Sequence, residues 1–397
     1  MRIEQTCLDL DSNKNVRVVA RLKKSPIPKT SNVLNDEFTK QVSKNFDYDF
    51  EGTSTFYPFE LDEDILKLDF NILCIVGASG SGKTTMAKYW GEEKQIEWDN
   101  SKSIVSNFKT IDEAVEKLSA VGLNSIPSWV KPRNALSNGE GFRADLARRL
   151  EDGCVIDEFT SVVDRNVALS CSSSIGKYIR NKNLKRCVFI SCHKDFIDVL
   201  CPDYVINLDT QKIYDTRRLP KRRFELSIYQ IYNKKDIWEL FRNHHYLNQD
   251  LNEASNVYVA ELENEIVGMC AVITQPNGQC INGYRIHRLV VLPDFQGLGI
   301  GRKLLNWICE YYNSKGKVVY IRTSHIKLIN SLLKSKDWKQ TARSQRISPS
   351  QKEKMKWKTT SRTPYSFEYI KNNIKKEKPQ RNFEQIGFDM LGESNVL

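Results

Sequence analysis

The chain has 397 residues, of which 40% are hydrophobic and 27% are charged, and its formal net charge is +11 at pH 7. This length favours two domains, no apolar run approaches the roughly 20 residues of a membrane-spanning helix, and the first residues lack the apolar segment of a secretory signal. The ten cysteines include no C-x-x-C pair, so we expect reduced thiols in a cytoplasmic protein without a membrane partner, rather than disulfides or a zinc site.

The first motif is a glycine-rich turn between an apolar run and a polar helix candidate, in FNILCIVGASGSGKTT at 70–85. Glycines at such a turn let backbone N–H groups surround phosphate oxygens, while a lysine adds charge and a threonine hydroxyl can bind Mg²⁺. The alternative is a glycine turn without a ligand, but the flanking strand and helix favour the phosphate site. The predicted phosphate-binding residues are Gly77, Ala78, Ser79, Gly80, Ser81, Gly82, Lys83, Thr84 and Thr85.

Two acidic residues follow the next strand-like run, in GCVIDEFTSVVD at 153–164. On a strand parallel to the first one, Asp157 would reach the Mg²⁺ held by Thr84, and Glu158 would orient or deprotonate an attacking water. Taken alone, two acids after a strand are usually a solvated strand end. A third run, CVFISCHKDF at 187–196, places His193 where it could contact a γ-phosphate, although a lone histidine is more often a surface residue.

These segments together resemble the ABC-type ATPase family. Gly77–Thr84 resembles its Walker A motif, Leu136–Glu140 its signature loop, Cys154–Glu158 its Walker B motif, Ser161–Asp164 its D-loop and His193 its switch histidine, in the family's order. The resemblance implies ATP and Mg²⁺ as cofactors, Glu158 as catalytic base and His193 as γ-phosphate sensor. It also implies that Ser137 and Gly139 contact the nucleotide of a partner subunit, in a homodimer with composite ATP sites.

The chain departs from this family at its signature loop. Asn138 stands where glycine is usual, Glu140 stands where glutamine is usual, and Ser137 follows Lys83 by only 54 residues. We therefore expect a reduced helical subdomain and no transport function. The aromatic residue that stacks on the base could be Phe56, Tyr57 or Phe59, and the sequence does not choose among them.

A second glycine-rich turn follows the apolar run of YRIHRLVVLPDF, and a predicted helix with Leu304, Leu305, Ile308 and Cys309 on one face comes after it. The predicted cofactor-binding residues of this turn are Gln296, Gly297, Leu298, Gly299, Ile300 and Gly301. The preceding segment 256–273 has the pattern of a β-hairpin, which argues against a dinucleotide-binding fold.

The Q-x-x-G-x-G turn, the hairpin before it and the strand VVYIRTSH after it resemble the GNAT acyltransferase family over about 225–370, with YSFEYI as a last strand. The resemblance implies that the turn binds the pyrophosphate of acetyl-CoA, or of another acyl-CoA, and that the acyl group lies between two splayed strands. Leu333 occupies the position of the tyrosine that serves many of these enzymes as general acid. The polar residues that could replace it are His287, Arg288, Ser324 and His325, with His244, His245 and Tyr246 as further candidates.

The predicted fold is therefore α/β, with an ABC-type P-loop NTPase domain followed by an α+β GNAT acyltransferase domain. Both parts together resemble a fusion family of archaea, bacteria and phages. The predicted divisions are a partly β N-terminal extension at 1–55, the ATPase at 56–215, a basic linker at 216–224, the acyltransferase at 225–372 and a basic tail at 373–397.

Basic residues are concentrated late in the chain, where 339–381 holds thirteen Lys and Arg but three Glu, together with Trp357 and other aromatics. This mixture suits phosphate contact and base stacking, although a solvated chain end would look similar. We expect an ATPase coupled to an N-acyltransferase that acts on nucleic acid or on a substrate bound to it. The alternatives are a protein or small-amine N-acetyltransferase regulated by ATP, and a non-catalytic, ATP-switched nucleic-acid clamp.

Overall fold

This computed structural model describes residues 9–50, 52–245, 250–276, 280–343 and 364–377. The chain divides into two compact units, one made of Met1–Leu226 with Val291–Ile300 and the other of Ser227–Val290 with Gly301–Leu397. Tyr246, Trp357 and most of the basic segment 339–381 lie outside the described residues. No helix in the described part has the length and apolar character to cross a membrane.

The first unit contains a six-stranded sheet and two small two-stranded ones. Its strands are β1 (Arg17–Arg21), β2 (Lys23–Lys24), β3 (Lys29–Asn32), β4 (Thr53–Phe56), β5 (Phe59–Glu60), β6 (Ile72–Val76), β7 (Val155–Ile156), β8 (Cys187–Ser191), β9 (Tyr204–Asn207) and β10 (Lys212–Asp215). Its helices are α1 (Glu37–Asn45), α2 (Glu63–Leu66), α3 (Lys83–Ala87), α4 (Ile111–Ala120), α5 (Ile126–Trp129), α6 (Asn138–Arg149), α7 (Arg165–Lys182) and α8 (Ile197–Leu200).

The large sheet has the strand order β1-β10-β9-β6-β8-β7. Strands β9, β6, β8 and β7 are parallel, and β10 and β1 continue the sheet antiparallel at one edge. All residues of β6 and β8 are buried, as expected for parallel strands covered on both faces. Because parallel strands end at one edge of a sheet, the residues after β6, β7 and β8 come together there.

The segments on either side of the predicted ATPase are held by this unit. The 1–55 extension contributes β1, which pairs with β10 from Arg17↔Asp215 to Arg21↔Lys212. In the 216–224 segment Leu219 is buried, and the Arg222 guanidinium donates to Asp198 Oδ2 at 2.9 Å. Residues 216–224 therefore pack within the first unit.

The second unit is built on a seven-stranded sheet in the order β11-β12-β13-β14-β15-β17-β16. Its strands are β11 (Ser227–Ile231), β12 (Asn256–Leu262), β13 (Glu265–Thr274), β14 (Gly283–Val291), β15 (Val318–Thr323), β16 (Trp338–Arg343) and β17 (Tyr365–Tyr369). Its helices are α9 (Lys234–Phe241), α10 (Ile300–Ser314) and α11 (Ile326–Leu333).

Three sequence predictions for this unit are confirmed. Strands β12 and β13 form the antiparallel hairpin predicted at 256–273. The predicted apolar face of α10 is fully buried, at Leu304, Leu305, Ile308 and Cys309. The predicted last strand is β17, which lies between β15 and β16 and pairs antiparallel with both.

Candidate functional site

The first glycine-rich turn joins the buried strand β6 to α3, as the sequence predicts. Gly80 and Gly82 have φ of +74° and +92°, which L side chains rarely adopt, so glycine is needed at both positions. The Lys83 ammonium donates to the carbonyl oxygens of Gly77 and Ala78, at 2.9 and 2.7 Å. The start of the loop is held by Asp209, whose Oδ1 accepts from the Ala78 N–H at 2.8 Å. The loop thus encloses a positive charge at the edge of the sheet.

The acidic pair after β7 reaches the same edge. Thr84 Oγ1 donates to Asp157 Oδ2 at 2.7 Å, although 73 positions separate the two residues. Asp157 Oδ1 accepts from the Glu158 N–H at 2.8 Å, and Glu158 has a φ of +46°, a conformation rare for residues other than glycine. This turn leaves the Glu158 side chain exposed beside the loop.

A cleft of about 380 Å³ lies between these groups. Its lining residues are Phe56, Ser79, Gly80, Gly82, Lys83, Thr84, Thr85, Asp157, Glu158, Ser161, Ser191 and Cys192. Eight of them belong to the predicted nucleotide site. Ser191 and Cys192 were missed, although their position at the carboxyl end of β8, the strand between β6 and β7, could have indicated them.

Six predicted residues are not among the described residues that line this cleft: Gly77, Ala78, Ser81, Ser137, Gly139 and His193. His193 is exposed, and its backbone N–H donates to Ser191 Oγ at 3.0 Å. Within one chain, the predicted signature residues and His193 therefore do not line this cleft.

The signature loop has a local structural role. Ser137 caps α6: its Oγ accepts from the Glu140 N–H at 3.3 Å, and Glu140 Oε2 accepts from the Ser137 N–H at 3.1 Å. Glu140 Oε1 also accepts from Ser128 Oγ at 2.6 Å. This reciprocal capping satisfies two backbone donors at the helix start, and it accounts for a glutamate at 140.

The structure distinguishes the three aromatic candidates. Phe56 lines the cleft, and a Cβ placed on Gly82 would lie 2.5 Å from Phe56 Cζ. Phe59 is only 8% exposed and packs in the core, whereas Tyr57 is 47% exposed and does not line the cleft. The ring of Phe56 therefore lies against the phosphate loop.

In the second unit, the parallel pair β14 and β15 separates partway along its length. Pairing runs from Gly283↔Val318 to Ile286↔Ile321, while β14 continues to Val291. His287 and Arg288 are the first residues of β14 beyond this pairing, and Ser324 and His325 follow the end of β15. The predicted polar candidates thus flank the place where two neighbouring strands part.

His287 differs from the other candidates because one of its ring nitrogens has no partner. Its Nε2 is buried without a hydrogen bond, and its Nδ1 lies 3.4 Å from an Arg288 guanidinium nitrogen. Burial, together with the positive charges of Arg288 and Arg285, lowers the pKa of His287 from 6.5 to about 4. The imidazole is therefore neutral near pH 7, and its surroundings disfavour the protonated form.

The other candidates have structural contacts. The Arg288 guanidinium lies 5.8 Å from the centre of the Trp238 ring and donates to the His287 carbonyl oxygen at 3.0 Å. His325 caps α11, because its Nδ1 accepts from the Leu328 N–H at 3.3 Å. Ser324 is half-buried, and Leu333, at the end of α11, is 51% exposed. Among these residues, His287 has a buried ring nitrogen without a hydrogen bond.

The second glycine-rich turn joins β14 to α10 as predicted. Gly297 and Gly299 have φ of +100° and +88°, and Ile300 and Gly301 begin the helix. The Gln296 amide donates to the Val291 carbonyl oxygen at 2.9 Å, so this side chain braces the turn against the strand end. Two left-handed glycines between a strand and a helix of 15 residues suit a phosphate-binding turn.

Comparison with known proteins gives a family match that covers much of the second unit. The profile of the acetyltransferase (GNAT) family matches residues 214–329. The solved structures that resemble the chain include an IAA acetyltransferase from Bacillus cereus, at 15% identity and a TM-score of 0.29, which covers 36% of this chain and 99% of that one. A GNAT family acetyltransferase from Elizabethkingia anophelis with acetyl-CoA bound has 17% identity and a TM-score of 0.29, and covers 36% and 97% of the two chains.

The ribosomal-protein-S18-alanine N-acetyltransferase from Escherichia coli has 13% identity and a TM-score of 0.28, and covers 36% of this chain and 93% of its own. No curated protein matches the chain. The family match, rather than these structural likenesses, identifies the domain. The C-terminal part of the chain therefore contains an acetyltransferase domain of the GNAT family, matched over residues 214–329.

Proposed function

We propose that the protein is an acyl-CoA-dependent N-acyltransferase whose first unit binds and hydrolyses ATP. The separation of β14 and β15 beyond Ile286, within the stretch that the family profile matches, carries the transferase part of this proposal. The Thr84–Asp157 hydrogen bond carries the ATPase part, since it joins a phosphate loop to a strand-end carboxylate.

The turn after β14 fits an acyl-CoA. Gly297 packs against Ser174, whereas a Cβ on Gly299 would meet nothing within 4 Å, so a phosphate can approach the turn at the backbone N–H groups of 299–301. The thioester of acetyl-CoA, or of another acyl-CoA, would supply the activated acyl group. His287 Nε2, which is buried without a partner, would take the proton from the attacking amine of the acceptor. The C–S bond of the thioester would then break, and the CoA thiolate would leave and take up that proton.

The cleft in the first unit fits ATP with Mg²⁺. Lys83 would release its two carbonyl contacts to bind phosphate, and Thr84 and Asp157 would bind the metal. Glu158, exposed in the cleft, would orient or deprotonate the attacking water. Ser137 and Gly139 would act on the nucleotide of a second copy of the chain, in a homodimer, which agrees with their absence from the lining of their own cleft.

The acceptor that we propose is nucleic acid, or a substrate bound to it. The support is the excess of ten positive charges over 339–381, because such charge attracts phosphate backbones. Protein or small-amine acceptors are the alternative outcomes of the same experiment.

The test uses the full chain. Calorimetric titration should show binding of acetyl-CoA, and labelled acetyl-CoA should then transfer label to DNA or RNA more than to protein or small amines. His287→Asn should bind acetyl-CoA normally but transfer roughly 100-fold more slowly, the usual contribution of a general base. Absence of acetyl-CoA binding would overturn the transferase proposal. Transfer of label only to protein or to small amines would overturn the proposal that nucleic acid is the acceptor.

A further inference from the structure

Glu93 lies outside every motif of the sequence but contacts one of the proposed metal ligands. Its Oε1 accepts from the Asp157 N–H at 3.0 Å. Asp157 is the first residue after β7, and the pairing of β7 with β8 ends at Ile156↔Phe189. The Glu93 carboxylate therefore fixes the backbone at the point where the Asp157 side chain turns toward Thr84.

The same carboxylate is held by the helix that begins at the signature loop. Arg149, the last residue of α6, places a guanidinium nitrogen 3.5 Å from Glu93 Oε1 and donates through Nε to the Lys94 carbonyl oxygen at 3.1 Å. The side chains of Arg149 and Glu93 are only 17% and 23% exposed. Farther along, Trp98 Nε1 donates to Asp145 Oδ1 at 2.7 Å, so α6 holds the segment 93–98 at more than one point.

Helix α6 thus has a functional candidate at each end. Ser137 caps its start and is the residue proposed to reach a partner's nucleotide, while Arg149 ends it and contacts Glu93. The 12 residues of α6 form one continuous helix about 18 Å long. A displacement of Ser137 at its start would therefore be transmitted to Arg149 at its end.

We propose that Glu93 is a positioning residue of the nucleotide site, which holds Asp157 in place for Mg²⁺ and connects it through Arg149 to α6. This inference rests on the proposed ATP function. Glu93 acts through the backbone of Asp157 and does not itself touch nucleotide. Engagement of the signature loop by a partner and binding of Mg²⁺ are coupled through this contact.

The experiment compares three variants with a matched control. Glu93→Ala removes both contacts, Glu93→Gln keeps an oxygen for the Asp157 N–H, and Arg149→Met removes the guanidinium. Glu92→Ala is the control, because Glu92 is the neighbouring carboxylate, 75% exposed and paired with Lys88 at 2.9 Å. Binding of a fluorescent ATP analogue is measured with Mg²⁺ and with EDTA, together with kcat and KM for hydrolysis and the melting temperature.

Glu93→Ala should weaken Mg²⁺-dependent binding about 10-fold and leave metal-free binding unchanged, as for other groups that orient a metal ligand. Glu93→Gln should recover most of this loss, and Glu92→Ala should match the wild type. The effect of Arg149→Met should disappear in the Glu93→Ala background, because the arginine acts through the glutamate.

Equal effects on metal-free and Mg²⁺-dependent binding, or no effect, would overturn the positioning role. If Glu93→Ala does not fold, Arg149→Met decides the question, since its failure to change the Mg²⁺ dependence of binding would overturn the connection. A wild-type chain that binds no nucleotide overturns the proposed ATP function as well. A wild-type chain that binds Mg²⁺ and nucleotide, with unaltered Glu93 variants, overturns the inference alone.

Discussion

The hydroxyl of Thr84 and the carboxylate of Asp157 meet at 2.7 Å, at the edge where the parallel strands of the first unit end. If both bind Mg²⁺, the hydroxyl of residue 84 is essential and its methyl group is not. Thr84→Ser should therefore retain ATP hydrolysis within a few-fold, whereas Thr84→Val should lose at least about 10-fold in Mg²⁺-dependent turnover. Titration of hydrolysis with Mg²⁺ measures this, and equal rates for both variants would contradict the assignment.

Glu158 should be needed for hydrolysis and not for binding. Glu158→Gln keeps the size of the side chain but removes its basicity, so kcat should fall by about 100-fold or more while ATP remains bound. If the sites are composite, this variant should form a dimer in ATP and a monomer without it, as measured by light scattering. Hydrolysis at the wild-type rate would rule out Glu158 as the base.

Cys192 provides a reporter of cleft occupancy, because it is exposed and lines the cleft. Mg²⁺ and ATP should slow its alkylation by a maleimide, as followed by peptide mass spectrometry. Cys201, which does not line the cleft, serves as the internal control. In Lys83→Ala the protection should be lost, and protection that persists there would place the nucleotide elsewhere.

Two glycines of the phosphate loop form a matched pair for stability. Gly80→Ala and Gly82→Ala both place a side chain at positive φ, which costs about 1 kcal/mol each. Only Gly82→Ala also places its Cβ 2.5 Å from Phe56 Cζ, since nothing lies within 4 Å at Gly80. The melting temperature should fall more for Gly82→Ala, and Phe56→Leu should reduce the difference. Equal losses would show that Phe56 does not pack on the loop.

His287 should make the stability of the fold depend on pH. Its pKa is 6.5 in ordinary surroundings and about 4 in the folded chain, so only the unfolded chain takes up this proton between these values. The stability that comes from keeping His287 neutral in the folded chain is fully present above pH 6.5, and it is lost as the pH falls toward about 4. Urea unfolding at about pH 7.5 and about pH 5 should show a smaller change for His287→Asn than for the wild type or for His244→Asn, which alters an exposed histidine.

The local geometry of both glycine-rich turns was predictable because it depends on neighbours in sequence. Glycines at positive φ, apolar strands before them and an apolar face on α10 follow from residue type and periodicity. The serine and glutamate of the capping box at 137 and 140 could also be read as a helix start. The predicted approach of Asp157 to Thr84 needed only the rule that parallel strands end together.

The contacts of Glu93 and Asp209, which the sequence did not predict, are long-range. Glu93 reaches Asp157 from 64 positions away, and Asp209 reaches Ala78 from 131 positions away. Neither acid has a distinctive neighbourhood in sequence, so only the folded arrangement of β6, β7 and β9 reveals them. The choice of Phe56 over Tyr57 and Phe59 likewise depended on which side chain the tertiary fold places against the glycine-rich loop, rather than in the core or in solvent.

The position of β17 determines the order in which the second sheet can be completed. Since β16 pairs with β17 and β15 also pairs with β17, Trp338–Arg343 can join the sheet only after Tyr365–Tyr369 has been synthesised. During synthesis, β15 therefore exposes an unpaired edge for more than forty residues, although the stretch that carries His287 and the glycine turn is already complete. An exposed strand edge is a site of intermolecular pairing, so the folding of this domain is most vulnerable to aggregation between the synthesis of β15 and that of β17.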